Sequence, residues 1–159
     1  MASYRKEKTI MIFIYIINAF LLFTFVPKDK TRQASVAFLF KQVMTWLFGL
    51  IVVEKKLISY PYRLFFKRTY KGSFSFEYFF YPVLCVLFNL YYPEKRNVLM
   101  KTLYHFIHAS AITALEVLLL KYTKLIRYKK WNWYWSLITI WFTNFLSHQF
   151  YNWFFKESH

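Results

Sequence analysis

Apolar residues run in long blocks along this chain, separated by short segments rich in Lys and Arg. Five blocks stand out, at 10–26, 34–53, 76–92, 98–120 and 131–155. A helix crosses a bilayer with about 17–25 mainly apolar residues. Blocks of that length with basic connections predict an all-α fold, an integral membrane bundle of about five transmembrane helices. No internal repeat or low-complexity linker divides the chain, so 1–159 is read as a single transmembrane helical domain.

The block 98–120, VLMKTLYHFIHASAITALEVLLL, carries Lys101, His105, His108 and Glu116. At about 100° of rotation per residue these four share one sector of a helix with Ala109 and Ile112. The opposite side holds Ser110 and Ala114, a small-xxx-small pair that lets another helix approach closely. A polar stripe on one side and a small-residue seam on the other predict an interior position in the bundle.

The remaining blocks add detail. A basic tail with Arg5, Lys6 and Lys8 precedes 10–26, which ends without a small-x-small triplet, so an uncleaved anchor is expected. The second block contains Lys41 and Gln42 and closes on Glu54, Lys55 and Lys56. Segment 57–75 mixes Arg63, Lys67, Arg68 and Lys71 with Tyr60, Tyr62, Phe65 and Phe66, the composition of a stretch at the headgroup boundary. Pro82 predicts a kink in the third block. Trp131, Trp133, Trp135 and Trp153 bracket the fifth as interfacial belts do.

Composition excludes the soluble alternatives. With 58% hydrophobic and 25% aromatic residues, a soluble domain of 159 residues would expose large apolar patches. The same richness excludes disorder. The net charge of +15 sits at the ends of apolar blocks, where it orients helices, so no nucleic-acid partner is expected. The tail and the segments 54–75 and 121–130 carry 14 of the 22 Lys and Arg, against 6 in 27–33, 93–97 and the C-terminal end. This bias predicts a cytoplasmic N-terminus and an outside C-terminus.

That orientation places Glu54, Glu77 and Glu116 towards the cytoplasmic side, as a candidate membrane carboxylate cluster. A carboxylate there must be protonated, paired or hydrated. One reading is a proton or cation site. The other is pairing with Lys55, Lys56, Arg63 or Lys121, which would only fix how the helices dock. Lys101, His105 and His108 form a candidate polar stripe in the outer half, with Lys41, Asn89, Asn144 and His148 at similar depth and Asn152 following. Hydrogen bonding between helices accounts for them, and no metal or other cofactor is expected. Asp29 is the only aspartate, there is no HExxH, GxSxG or glycine-rich phosphate loop, and Cys85 lies alone in an apolar block. Enzymatic activity is therefore not expected.

The stretches FEYFFYPVLCVLFNLYYPEKR and LEVLLLKYTKLIRYKKWNWYW resemble an uncharacterised family of small multi-pass membrane proteins from Bacillus- and Clostridium-type spore-forming bacteria. The resemblance begins near Glu54 and is carried by Glu77, Tyr81, Pro82, Asn89, Pro93, Glu116, Thr123, Trp131 and Trp135. It implies the cytoplasmic membrane of a Gram-positive bacterium, with a link to the spore, and no particular activity. The expectation is a non-enzymatic interaction or accessory component whose partners are the lipid bilayer and another membrane protein. The alternative is a small proton- or cation-coupled channel or carrier using the membrane carboxylates.

Overall fold

A computed structural model describes residues 4–66, 68 and 71–156; Lys67, part of the basic-aromatic segment, lies outside the described residues. Among the described residues there are five α-helices: α1 (Arg5–Phe25), α2 (Thr31–Glu54), α3 (Tyr81–Leu90), α4 (Val98–Tyr122) and α5 (Trp133–Phe155). A 3-10 turn, Lys28–Lys30, leads into α2, and a π-helical turn, Phe76–Phe80, leads into α3. Asn97 caps α4 by accepting the Met100 N–H at 3.0 Å, the usual service of Asn at this position. Two short strands interrupt the helical pattern: β1 (Ile58–Ser59) pairs antiparallel with β2 (Arg127–Tyr128).

Three helical stretches are long and apolar enough to cross a membrane: Arg5–Phe25, Lys28–Glu54 and Val98–Tyr122. The other two blocks depart from the expected five for different reasons. The stretch Phe76–Leu90 is apolar but short. Helix α5 has 23 residues and carries Ser136, Thr139, Thr143, Asn144, Ser147 and His148 among its apolar positions, and it is not one of the three.

The centre of the bundle is α3, not the 98–120 helix. Val83, Val86 and Phe88 on α3 have no exposure, and α1, α2 and α5 pack around that helix. Helix α4 packs mainly on α5 and reaches α3 through long side chains such as Tyr104 and His105, whose rings meet Phe88. Its outer face exposes Leu103, Ile107, Leu115 and Leu118. The expectation of an interior α4 fails because only one sector of it is polar. That sector, His105, Ala109, Ile112, Thr113 and Glu116, is buried, while Ser110 is half-buried and Ala114 exposed.

Pro82 acts through its missing N–H rather than as a simple kink. The Tyr81 N–H bonds to the Phe76 carbonyl in the wider π pattern, and Pro82 offers no donor to the carbonyls one turn back. Two side chains of α2 supply the missing bonds. Gln42 Nε2 donates to the Tyr78 carbonyl at 3.0 Å, and Thr45 Oγ1 donates to the Glu77 carbonyl at 2.5 Å. Backbone groups freed by proline inside an apolar bundle require such partners. Gln42→Leu should therefore cost about 1–3 kcal/mol, the penalty of an unsatisfied buried acceptor. A denaturation midpoint in detergent checks this, and an unchanged midpoint would contradict it.

The ends of the bundle sort the connections by charge. At one end β1 meets β2, Lys6 Nζ donates to the Tyr122 carbonyl at 2.8 Å, and the Lys124 N–H donates to Glu7 Oε1 at 3.2 Å. The basic tail and the segments after α2 and α4 thus lie together. At the other end Tyr91 Oη donates to the Phe25 carbonyl at 2.8 Å, and Asn152 Nδ2 donates to Glu94 Oε1 at 3.4 Å.

Candidate functional site: a polar cleft inside the bundle

Glu116 projects from the buried sector of α4 and is 6% exposed. Neutral hydroxyls surround it. Tyr81 Oη donates to Oε2 at 2.8 Å, while Tyr128 Oη and Ser136 Oγ reach Oε1 at 2.5 and 2.7 Å. Tyr128 Oη and Ser136 Oγ are themselves 2.9 Å apart, and Trp131 Nε1 donates to Ser136 Oγ at 2.8 Å. Burial, then the adjacent Glu116 carboxyl, pushes the Tyr128 phenol well above its ordinary pKa, so it remains a donor at neutral pH. No Lys, Arg or His among the described residues forms an ion pair with Glu116.

Glu77 lies on the π-helical turn before α3 and is 3% exposed. The Ser73 N–H donates to its Oε1 at 3.3 Å. Its carboxyl occupies the space where a side chain on Gly49 would start, so the absence of a Cβ on α2 is what admits it.

Lys41 on α2 completes the group, at 2% exposure. Its ammonium donates to Thr143 Oγ1 at 2.6 Å and Asn144 Oδ1 at 2.7 Å, both on α5. Lys41, Glu77 and Glu116 line one cleft of about 90 Å³, together with Thr45, Ser136 and Thr143. Much of its wall is apolar, from residues such as Phe48, Val52 and Ile140, so water finds partners only beside the carboxyls, the ammonium and the hydroxyls.

The sequence-derived cluster is thus brought together in part. Glu77 and Glu116 share the cleft, whereas Glu54 ends α2 as an exposed residue and does not line it. The polar stripe of α4 divides into three environments. Lys101 pairs with Glu94 at 3.3 Å on the rim, and His108 Nδ1 meets Asn144 Nδ2 at 3.1 Å. His105 is buried among the rings of Phe88, Tyr92 and Trp141, with its Nδ1 unbonded. Where the docking reading expected the carboxylates to pair with Lys55, Lys56, Arg63 or Lys121, Glu116 instead meets the hydroxyls of Tyr81, Tyr128 and Ser136.

A second polar group lies towards the other end. Cys85 Sγ meets Ser147 Oγ at 3.0 Å, and Asn89 Nδ2 donates to the Cys85 carbonyl at 2.9 Å. His148 Nδ1 faces Asn89 Oδ1 at 3.1 Å, while Nε2 lies 2.9 Å from Glu94 Oε1 and 3.0 Å from Asn152 Nδ2. A neutral His148 accepts from Asn152; a protonated one donates to Glu94.

Both groups are strung along α5, whose buried positions are Ser136, Ile140, Thr143, Asn144, Ser147 and His148. Their three- and four-residue spacing is a helical polar stripe, a signal present in the sequence but read there only at Asn144, His148 and Asn152. Tyr128 and Ser136 were missed because the cage is assembled from separate elements. Glu7, also buried, was missed because it sits in a basic tail. No family profile, curated protein or solved structure matches the chain.

Proposed function

We propose that the chain is a multi-pass integral protein of a bacterial cytoplasmic membrane that binds and passes a small ion through the cleft between α2, α3, α4 and α5. The observation that carries this reading is the convergence of Glu77, Glu116 and Lys41, each nearly fully buried, on one cavity. Ionisable groups within membrane helices are costly and mark ion or proton pathways. The gathering of the basic tail and the segments after α2 and α4 at one end supports a cytoplasmic N-terminus and an outside C-terminus. The short α3 would cross enclosed by α1, α2 and α5, while α5 would turn its polar stripe inward and its exposed Ile138, Trp141, Phe142 and Phe145 to lipid.

The test is ion flux in vesicles carrying the purified chain. Native protein should support flux, and Glu116→Gln should abolish it while inserting and folding normally. Flux unchanged by the substitution, or absent from the native protein, would contradict the reading.

An accessory role is the second reading. It is favoured by the outer face of α4, where exposed Ala114 follows half-buried Ser110 in a small-residue seam. Mild detergent extraction from native membranes should then recover a stoichiometric membrane partner, lost on Ala114→Phe. A chain that purifies alone from those membranes speaks against it.

A further inference from the structure

We propose that the ion handled in the cleft is the proton, held as the carboxyl hydrogen of Glu116, and that Lys41 keeps alkali-metal cations out. This rests on the ion-site reading above and names the ion.

The first argument is a count of hydrogens. Glu116 Oε1, Ser136 Oγ and Tyr128 Oη form a triangle with sides of 2.7, 2.9 and 2.5 Å. Three hydrogen bonds around three oxygens need three hydrogens. Ser136 and Tyr128 bring one each. The Trp131 N–H occupies a lone pair of Ser136 Oγ and adds none between the oxygens. With an ionised carboxylate both hydroxyls point at Oε1, and Oγ and Oη face each other without a hydrogen. A proton on Oε1 closes the ring: Glu116 donates to Ser136, Ser136 to Tyr128, and Tyr128 back to Oε1. Loss of that proton to cleft water returns both hydroxyls to Oε1. The only movement is rotation of the two hydroxyls, with no change in the heavy atoms.

The second argument is charge. Lys41 faces the cleft with Thr143 and Asn144 as its hydrogen-bond partners, both neutral. A sodium or potassium ion entering the cavity meets this like charge in poorly screened surroundings. It would also have to turn three hydroxyl donors away from Glu116 before the carboxylate could coordinate it. A proton avoids the second obstacle, because it joins the ring instead of displacing it. His108, the nearest histidine in this network, contacts Asn144 and lies on the far side of Lys41's amide partner from the ammonium.

The experiment uses the full chain in lipid vesicles, first by infrared spectroscopy in sodium-free buffer. At neutral pH the native protein should show a protonated-carboxyl stretch that shifts in deuterated water and is lost in Glu116→Gln. Addition of sodium or rubidium at constant pH should leave it unchanged. The same vesicles are then assayed with an internal pH dye and with radioactive rubidium and sodium. Native protein should pass protons and neither metal; Lys41→Met should admit rubidium or sodium. An absent carboxyl band, a band displaced by sodium, or metal flux through the native protein overturns the proposal while leaving an ion site intact. Absence of all flux with the band present defeats the ion-passage reading and not the assignment of the proton to Glu116. If Lys41→Met does not fold, the native band and native metal flux decide the matter.

Discussion

Gly49→Leu should lower stability by about 1–5 kcal/mol, one of the larger effects expected of a single substitution in the chain. The carboxyl of Glu77 fills the space beside the Gly49 backbone, so any Cβ collides with it. Overpacking contributes about 1–3 kcal/mol, and displacing a buried, hydrogen-bonded carboxyl contributes a similar amount. Helix propensity acts in the opposite direction, since glycine in a helix interior is about 1 kcal/mol worse than alanine. The clash exceeds that gain because Glu77 is 3% exposed and fixed on the π-helical turn beside α2. The measurement is a denaturation midpoint in detergent for Gly49→Ala and Gly49→Leu, each with and without Glu77→Ala. Shortening Glu77 should restore most of the stability lost by Gly49→Ala. Full additivity between the two positions would show that they do not meet.

Lys41→Met should separate stability from function more clearly than any other change. A buried charge exchanged for an apolar side chain of similar size is often neutral or stabilising. The partners left behind retain other bonds: Thr143 Oγ1 donates to the Thr139 carbonyl at 2.8 Å, and Asn144 Nδ2 meets His108. Thr143 Oγ1 and Asn144 Oδ1 both lose the Lys41 donor, but Thr143 Oγ1 keeps the bond it donates, so the net change should stay within about 1–2 kcal/mol. Ion selectivity, in contrast, should be lost, because the like charge of Lys41 no longer faces a cation entering the cleft. A variant as selective as the native protein would show that Lys41 is a packing residue. This combination, retained stability with lost selectivity, is what distinguishes a functional buried lysine from a structural one.

The helices were legible in the sequence because apolar block length and basic punctuation are local properties. Rotation per residue placed Lys101, His105, His108, Ala109, Ile112 and Glu116 in one sector of α4; the structure buries His105, Ala109, Ile112 and Glu116 with Thr113 and leaves Lys101 and His108 half-buried. The central position of α3 was not legible. A short apolar helix surrounded by longer ones carries no local mark, whereas the conspicuous polar residues of 98–120 drew attention to an edge helix. The π-helical turn was equally hidden, since it depends on Gln42 and Thr45 arriving from α2 to satisfy carbonyls near Pro82. Within the site, Glu77 and Glu116 stood out by charge and depth. Their surroundings did not, because Tyr81, Tyr128 and Ser136 are ordinary residues made significant by packing. The strand pairing that carries Tyr128 to Glu116 spans Ser59 and Arg127, far apart in the chain and without a pattern linking them.

Everything proposed for the cleft depends on helices that cross the bilayer with the basic end inside the cell. Thiol labelling in intact cells tests this most directly, in a Cys85→Ala background that removes the only cysteine. Lys30→Cys lies at the end expected outside, and Lys129→Cys at the end expected inside. An impermeant reagent should label the first and reach the second only after the membrane is opened. Labelling of Lys129→Cys with protection of Lys30→Cys would invert the bundle, and equal labelling of both would contradict a membrane-spanning bundle altogether.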